Sequence, residues 1–318
     1  MLQNGYFLFS LDTELAWGFY DSFPNSSVEL DGFRERVVIK RLLKVFDRFN
    51  IAATWALVGH MFYEECEKCG ICPVEAWKGR YPCFERIYGT NDPLWYGNDI
   101  VDILRDTLPK HEIAFHGYTH RLFNEKELSK KDVGIEIEEW LRLAEKKKII
   151  PSTVIFPRGI IGFLPVFKDK GFICYRGNDL TPRALLIPYF GKVLKWLDKR
   201  LKLFSPIVYD IETEPDSLVN LPASRRLFGL HRNVSSLLDR AQLGRIKVQS
   251  MIKGVEKAAR EKKVIHIRTH PYEFRTENDF AELEMLLACV ADEIKKGGIQ
   301  SVTMGGLAQL VLQTGKSI

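Results

Sequence analysis

Apolar positions along the chain recur at two periods, and the two alternate. Tyr6 to Glu14 follows the two-residue period of a strand, with Phe7, Phe9 and Leu11 on one face and Leu8, Ser10, Asp12 and Glu14 on the other. Arg34 to Asn50 follows the helical period, with Val38, Leu42, Val45, Phe46 and Phe49 on one stripe. Ile51 to Val58 and Glu112 to His116 predict further strands, and Asp132 to Lys148 predicts a helix with Val133, Ile137, Trp140, Leu141 and Ala144 turned inward. Thr153 to Arg158 and Phe172 to Arg176 extend the strand series. Helix 244–263, strand Val264 to His270, helix 279–296 and strand Ser301 to Met304 complete it. Stretches at about 60–110 and 178–240 fit neither period and read as insertions. About seven strand and helix pairs in one domain, residues 1–318, imply a parallel (β/α) barrel better than an open sheet.

Composition narrows the class. The 318 residues are 46% apolar and 27% charged, which is enough for one large core and gives no sign of disorder. A surplus of five cationic residues over so long a chain does not point to nucleic acid, though it is compatible with an anionic substrate such as a sugar phosphate. The first residues lack the basic start of a secretory signal, and no apolar run is long enough for a membrane span. The expected compartment is therefore the cytosol, where the six cysteines would be reduced thiols or metal ligands.

Polar side chains gather at strand ends. Asp12 and Glu14, two apart, converge on one site; a lone Asp there would sooner cap a loop. His116 and His120 can reach one metal if the turn between them is helical, although such a pair on a helix is commonly just structural. Arg158, in Phe156-Pro157-Arg158-Gly159, can hold a carboxylate ionised by a two-pronged hydrogen bond. His266, Arg268 and His270 share a face that is costly to bury unless it lines a polar site. Four such signals at successive strand ends outweigh the bland reading of each.

Together these residues resemble the polysaccharide deacetylases, the NodB-homology group also called carbohydrate esterase family 4. The likeness rests on Asp12-Thr-Glu14-Leu-Ala-Trp17-Gly18, His116-x-x-x-His120, Phe156-Pro-Arg158 and His270-Pro-Tyr-Glu273, and runs from about Tyr6 to Leu310. The stretches Leu94 to Ile100, Tyr175-Arg-Gly177 and Leu221 to Arg225 resemble the branch that serves surface-polysaccharide biosynthesis. The resemblance implies a distorted (β/α)7 barrel, one divalent metal ion, most simply zinc, and removal of an N-acyl group from an amino sugar. It makes Asp12 the base, Glu14, His116 and His120 the metal ligands, Arg158 the group that orients Asp12, and His270 the acid. Four positions depart from the pattern: Thr13 separates the two acidic residues, Gly159 replaces a frequent Asn, and Arg268 and Thr269 replace aromatics before the His-Pro pair. The altered motifs leave two alternatives: hydrolysis of a small non-sugar amide, and an inactive glycan-binding module.

Several other residues carry two readings. Trp17, Trp95 and Tyr96 suit a sugar-stacking platform or the core, and Arg268 suits an anionic substrate group. His266 reads as a hydrogen-bonding support, and His60 and His111 as structural or surface groups. Cys66, Cys69, Cys72 and Cys83 could hold a second, structural zinc or stay free thiols; Cys174 and Cys289 read as core. The basic amphipathic run 185–204 could touch a membrane surface but suits packing on the barrel better, and the charged run 125–148 reads as a solvated helix face.

Overall fold

The computed structural model describes residues 4–19, 32–64, 93–108, 110–181, 204–214, 216–228 and 243–314, the backbone alone at 243–246. The cysteine cluster 66–83 and nearly all of 185–204 lie outside these residues.

Among the described residues nine strands form one sheet: β1 (Gly5–Thr13), β2 (Thr54–Leu57), β3 (Glu112–Phe115), β4 (Thr153–Val154), β5 (Cys174–Tyr175), β6 (Val219–Asn220), β7 (Arg225–Arg226), β8 (Val264–Thr269) and β9 (Ile299–Ser301). Their order is β6-β5-β4-β3-β2-β1-β8-β7, and every strand pair is parallel. One edge of β1 is shared, β9 lying along Gly5–Phe7 and β2 along Ser10–Thr13. The two edge strands, β6 and β7, are separated in the chain only by Leu221–Ser224, so the sheet must curl until its ends approach. The result is the distorted (β/α)7 barrel expected from the motifs. One expectation is corrected: the stretch 178–240 is not purely an insertion, because it supplies β6 and β7. Of the four residues in β6 and β7 only Val219 is apolar, so no apolar pattern marks these strands in the sequence.

Helices α1 (Phe33–Arg48), α2 (Asn98–Arg105), α3 (Lys130–Lys146), α4 (Leu164–Asp169), α5 (Leu243–Glu261), α6 (Glu277–Lys295) and α7 (Met304–Thr314) join the strands. Local chemistry sets several boundaries. Ser129 with Asp132, and Thr276 with Asp279, form reciprocal capping boxes that satisfy the first amides of α3 and α6.

The two faces of β1 pack into different cores, as the alternation predicts. Phe7, Phe9 and Leu11 face outward into the layer between sheet and helices. Tyr6 and Leu8 face inward among Ala56, Ala114, Ile155, Cys174, Val219 and Leu221, with Met304, Leu307, Ala308 and Val311 of α7 in the same cluster. Next to that cluster Glu112 is buried, accepting bonds from Thr54 Oγ1, Ser152 Oγ, Thr153 Oγ1 and the Gly305 amide. These bonds tie the start of α7 to three strands and compensate the burial of a carboxylate. The C-terminal ends of the strands stay open as a polar cleft. Among the described residues no helix is long and apolar enough to cross a membrane.

Candidate active site

Glu14 stands just past the end of β1, where Leu15 takes a left-handed backbone (φ 49°) into a short 3-10 turn. Its Oε2 lies 3.0 Å from His116 Nε2 and 2.9 Å from His120 Nε2, and all three side chains are buried. Three ligand atoms from these residues fall within 4.8 Å of one another. Ligands of a tetrahedral zinc stand roughly 3.3 Å apart, so one carboxylate oxygen and two imidazole nitrogens suit a catalytic zinc site. His116 donates Nδ1–H to the Ile155 carbonyl at 2.7 Å, which directs Nε2 at the site. Gly18 makes room for the carboxylate: a Cβ there would stand 2.1 Å from Glu14 Oε1.

The turn from His116 to His120 is not helical, contrary to the simplest reading of the spacing. Gly117 (φ 79°) and His120 (φ 60°) both take left-handed backbone, which for a non-glycine is costly and needs support. Glu136 of α3 supplies it. Its buried carboxylate accepts from the Tyr118 amide at 2.7 Å, the Thr119 amide at 3.1 Å and Thr119 Oγ1 at 2.6 Å. Burial nevertheless pushes the Glu136 pKa up. The run 125–148 is therefore more than a solvated face. Glu136 lies three residues after Val133 and four before Trp140, on the apolar stripe itself, and that position is the signal that marks it as buried.

Asp12 points into the same cleft, and the guanidinium that grips it belongs to Arg176, not Arg158. Arg176 Nη1 and Nη2 reach the two carboxylate oxygens at 2.5 and 2.6 Å. Burial pushes the Asp12 pKa up, but Arg176 and His270 outweigh it and hold the carboxyl well below its usual range. Arg158 lines the cleft mouth instead, with a long 3.4 Å bond to the Gly18 carbonyl. The sequence signal for Arg176 was strand parity: it follows inward-facing Cys174 by two positions at a strand end. Arg176 Nη1 also donates to Ser10 Oγ at 3.1 Å, and Ser10 Oγ bonds His266 Nε2 at 2.8 Å. His266 Nδ1–H reaches the Leu221 carbonyl, and burial lowers the His266 pKa to about 3, so this neutral imidazole is the expected supporting group.

His270 Nε2 lies 3.5 Å from Asp12 Oδ2 and 3.8 Å from Glu14 Oε1. Behind it, Glu273 Oε2 stands 3.3 Å from His270 Nδ1 while accepting from Thr269 Oγ1 and the His270 amide. Arg226 pairs with Glu273 at 3.0 Å. Burial pushes Glu273 up, but Arg226 and His270 bring its pKa down to about 2. Glu273 and Arg226 are thus functional neighbours to which the sequence reading gave no role. Arg268 lines the cleft and pairs through Nε and Nη2 with Asp179 at 2.7 Å.

The expected stacking platform is not there. Trp17, Trp95 and Tyr96 are 0%, 1% and 2% exposed. The Trp17 indole donates to the Trp95 carbonyl and packs on Trp95 and His60. All three belong to the hydrophobic core. His60 and His111 are buried structural groups; His60 packs on Trp17 and Tyr118. Among the described residues, the cleft, of about 410 Å³, has aromatics only in Phe19, Phe156 and Tyr272.

No protein-family model and no curated protein sequence matches the chain. Solved structures match over almost the whole length. One described as a polysaccharide deacetylase from Mycobacterium smegmatis is 16% identical with a TM-score of 0.56, over 99% of this chain and 93% of that one. Another, described as a polysaccharide deacetylase from Pseudomonas aeruginosa, is 14% identical with a TM-score of 0.53, over 97% and 91%. The PuuE allantoinase is 14% identical with a TM-score of 0.54, over 97% and 90%. At these identities the likeness establishes a shared fold, that of the polysaccharide deacetylases.

Proposed function

We propose that the chain is a metal-dependent hydrolase that removes an N-acyl group, most simply acetyl, from an amino sugar. The observation that carries this reading is the meeting, in one cleft, of the Glu14–His116–His120 triad with an ionised Asp12 and with His270. A divalent cation held by that triad would supply a Lewis acid for the acyl carbonyl and a more acidic water.

The remaining work falls to the chain's own groups. Asp12, kept ionised by Arg176, accepts a proton from the attacking water. His270 gives one from Nε2 to the departing amine, because Arg226 Nη2 and Glu273 occupy its Nδ1 side and leave Nε2 facing the cleft. Each group thus serves one proton transfer. The surface-polysaccharide branch completes the proposal, on the motif likeness alone.

The allantoinase among the similar structures supports a second reading, hydrolysis of a small cyclic non-sugar amide on the same triad. One experiment tests both. Metal content and release of free amine from N-acetylated amino sugars are measured for wild type and for the His116→Ala, His120→Ala double variant. About one metal ion per chain and amine release, both lost in the variant, are expected. A wild type that binds no added zinc overturns the hydrolase reading in favour of the binding module. Release from cyclic ureides and from no sugar favours the second reading.

A further inference from the structure

Among the described residues, the cleft wall is poor in exposed aromatic faces and rich in guanidinium. Arg158, Arg176, Arg226 and Arg268 all line it, each from a different part of the chain. A cleft built to read a neutral sugar usually offers flat apolar faces and neutral hydrogen-bonding groups. Here the tryptophans suited to that task are sealed in the core. Arginine is the residue whose planar fork matches a phosphate or carboxylate.

Arg176, Arg226 and Arg268 have internal carboxylate partners, so what remains on them for a ligand is a matter of which edge is used. Arg176 spends both Nη atoms on Asp12. Arg268 spends Nε and Nη2 on Asp179, and Arg226 spends Nε and Nη2 on Glu273. Nη1 of Arg268 and of Arg226 makes no hydrogen bond among the described residues, leaving two N–H donors on each for a further acceptor. Both side chains keep contact with the cleft, at 18% and 16% exposed. Glu14 does not offset this charge, since it is directed at the two histidines and at any cation they hold.

We propose that the substrate carries a phosphate or carboxylate on the same sugar unit as the acyl group, seated on Arg268 and Arg226. This rests on the amino-sugar reading above and names the substrate class within it. Asp179 is then a competitor: it holds Arg268 in place until the anion arrives, at the cost of weakening its field.

The test compares glucosamine, glucosamine 6-phosphate and glucosaminuronate as binding probes, by calorimetry on zinc-loaded and zinc-stripped protein. Their N-acetyl forms are compared as substrates. At least tenfold tighter binding of an anionic probe over glucosamine is expected in both metal states. That ratio should fall toward one in Arg268→Met and rise in Asp179→Asn. The phosphate and the carboxylate arms identify which anion is read. Equal binding of neutral and anionic probes overturns the proposal, as does a preference confined to zinc-loaded protein or one that survives Arg268→Met. If N-acetylglucosamine is still deacetylated in those cases, the hydrolase reading stands. An arginine-dependent preference with no amine released supports the anion site and removes the hydrolase reading instead.

Discussion

Arg176, just past the end of β5, grips Asp12 on β1 through both carboxylate oxygens, at 2.5 and 2.6 Å, across the inside of a barrel in which β2, β3 and β4 intervene. A charge pair reaching over that interior couples the closure of the sheet to the state of the candidate base. Both side chains are only 7% exposed, so neither partner can be removed without leaving the other charge buried.

Arg176→Met should therefore lower stability by about 3–5 kcal/mol, the usual cost of orphaning one half of a buried pair. Arg158→Met, at the exposed cleft mouth, should change stability by less than about 0.5 kcal/mol. Urea unfolding of the two variants beside wild type checks this. Equal losses would show that the Arg176–Asp12 pair contributes no more to stability than the exposed Arg158.

Glu136 supports the left-handed turn that aims His120, so its replacement should be felt at the proposed metal site. Glu136→Gln puts an amide donor where three donors converge. We expect zinc affinity to fall by about 10–100-fold, as for other groups that support metal ligands. Competition with a chromophoric chelator measures it. Unchanged affinity would show that the turn holds its shape without the carboxylate.

Gly18→Ala places a methyl group 2.1 Å from Glu14 Oε1, and the carboxylate must move. Leu15, Ala16 and Trp17 of the same turn remain packed, so the circular dichroism spectrum should match wild type. Zinc affinity should drop at least about tenfold, because one of three ligands is displaced. Wild-type affinity in this variant would remove Glu14 from the ligand set.

The pH dependence of stability has a defined sign at His111. Burial, with Lys110 nearby, lowers its pKa to about 4, and its Nδ1 accepts the Ala53 amide, which only a neutral ring can do. The unfolded chain takes up this proton near pH 6.5 and the folded chain only near pH 4. Stability is therefore fully present above pH 6.5 and is lost as pH falls through that window, by at most about 3 kcal/mol. His266, with a pKa lowered to about 3, adds a loss of the same sign. Unfolding midpoints between pH 7 and pH 4.5 should fall less steeply for His111→Asn than for wild type. Parallel slopes would assign the loss to other groups.

How much of this was legible without coordinates varied by element. The long strand β1 announced itself, and so did the helices α1, α3 and α6, because nine or more residues give periodicity room to repeat. β6 and β7, two residues each, did not. The same contrast holds in the cleft. Asp12, Glu14, His116, His120 and His270 sit in local motifs whose spacing reports a shared strand end. Arg158 sat in such a motif too, yet its backbone turns left-handed (φ 52°) just past β4 and carries the guanidinium to the rim.

What the chain's order of residues determined by itself was periodicity and the chemistry within a few positions of each strand end. Those are short-range properties: side-chain alternation, capping and spacing act within one element. Which guanidinium reaches Asp12, which carboxylate shores up the histidine turn, and which tryptophans face sugar or core were decided only by the tertiary structure. Each of those is a contact between residues far apart in the chain, 164 positions for Asp12 and Arg176. Such a contact forms only when barrel closure fixes both partners in space, and no local pattern encodes that distance.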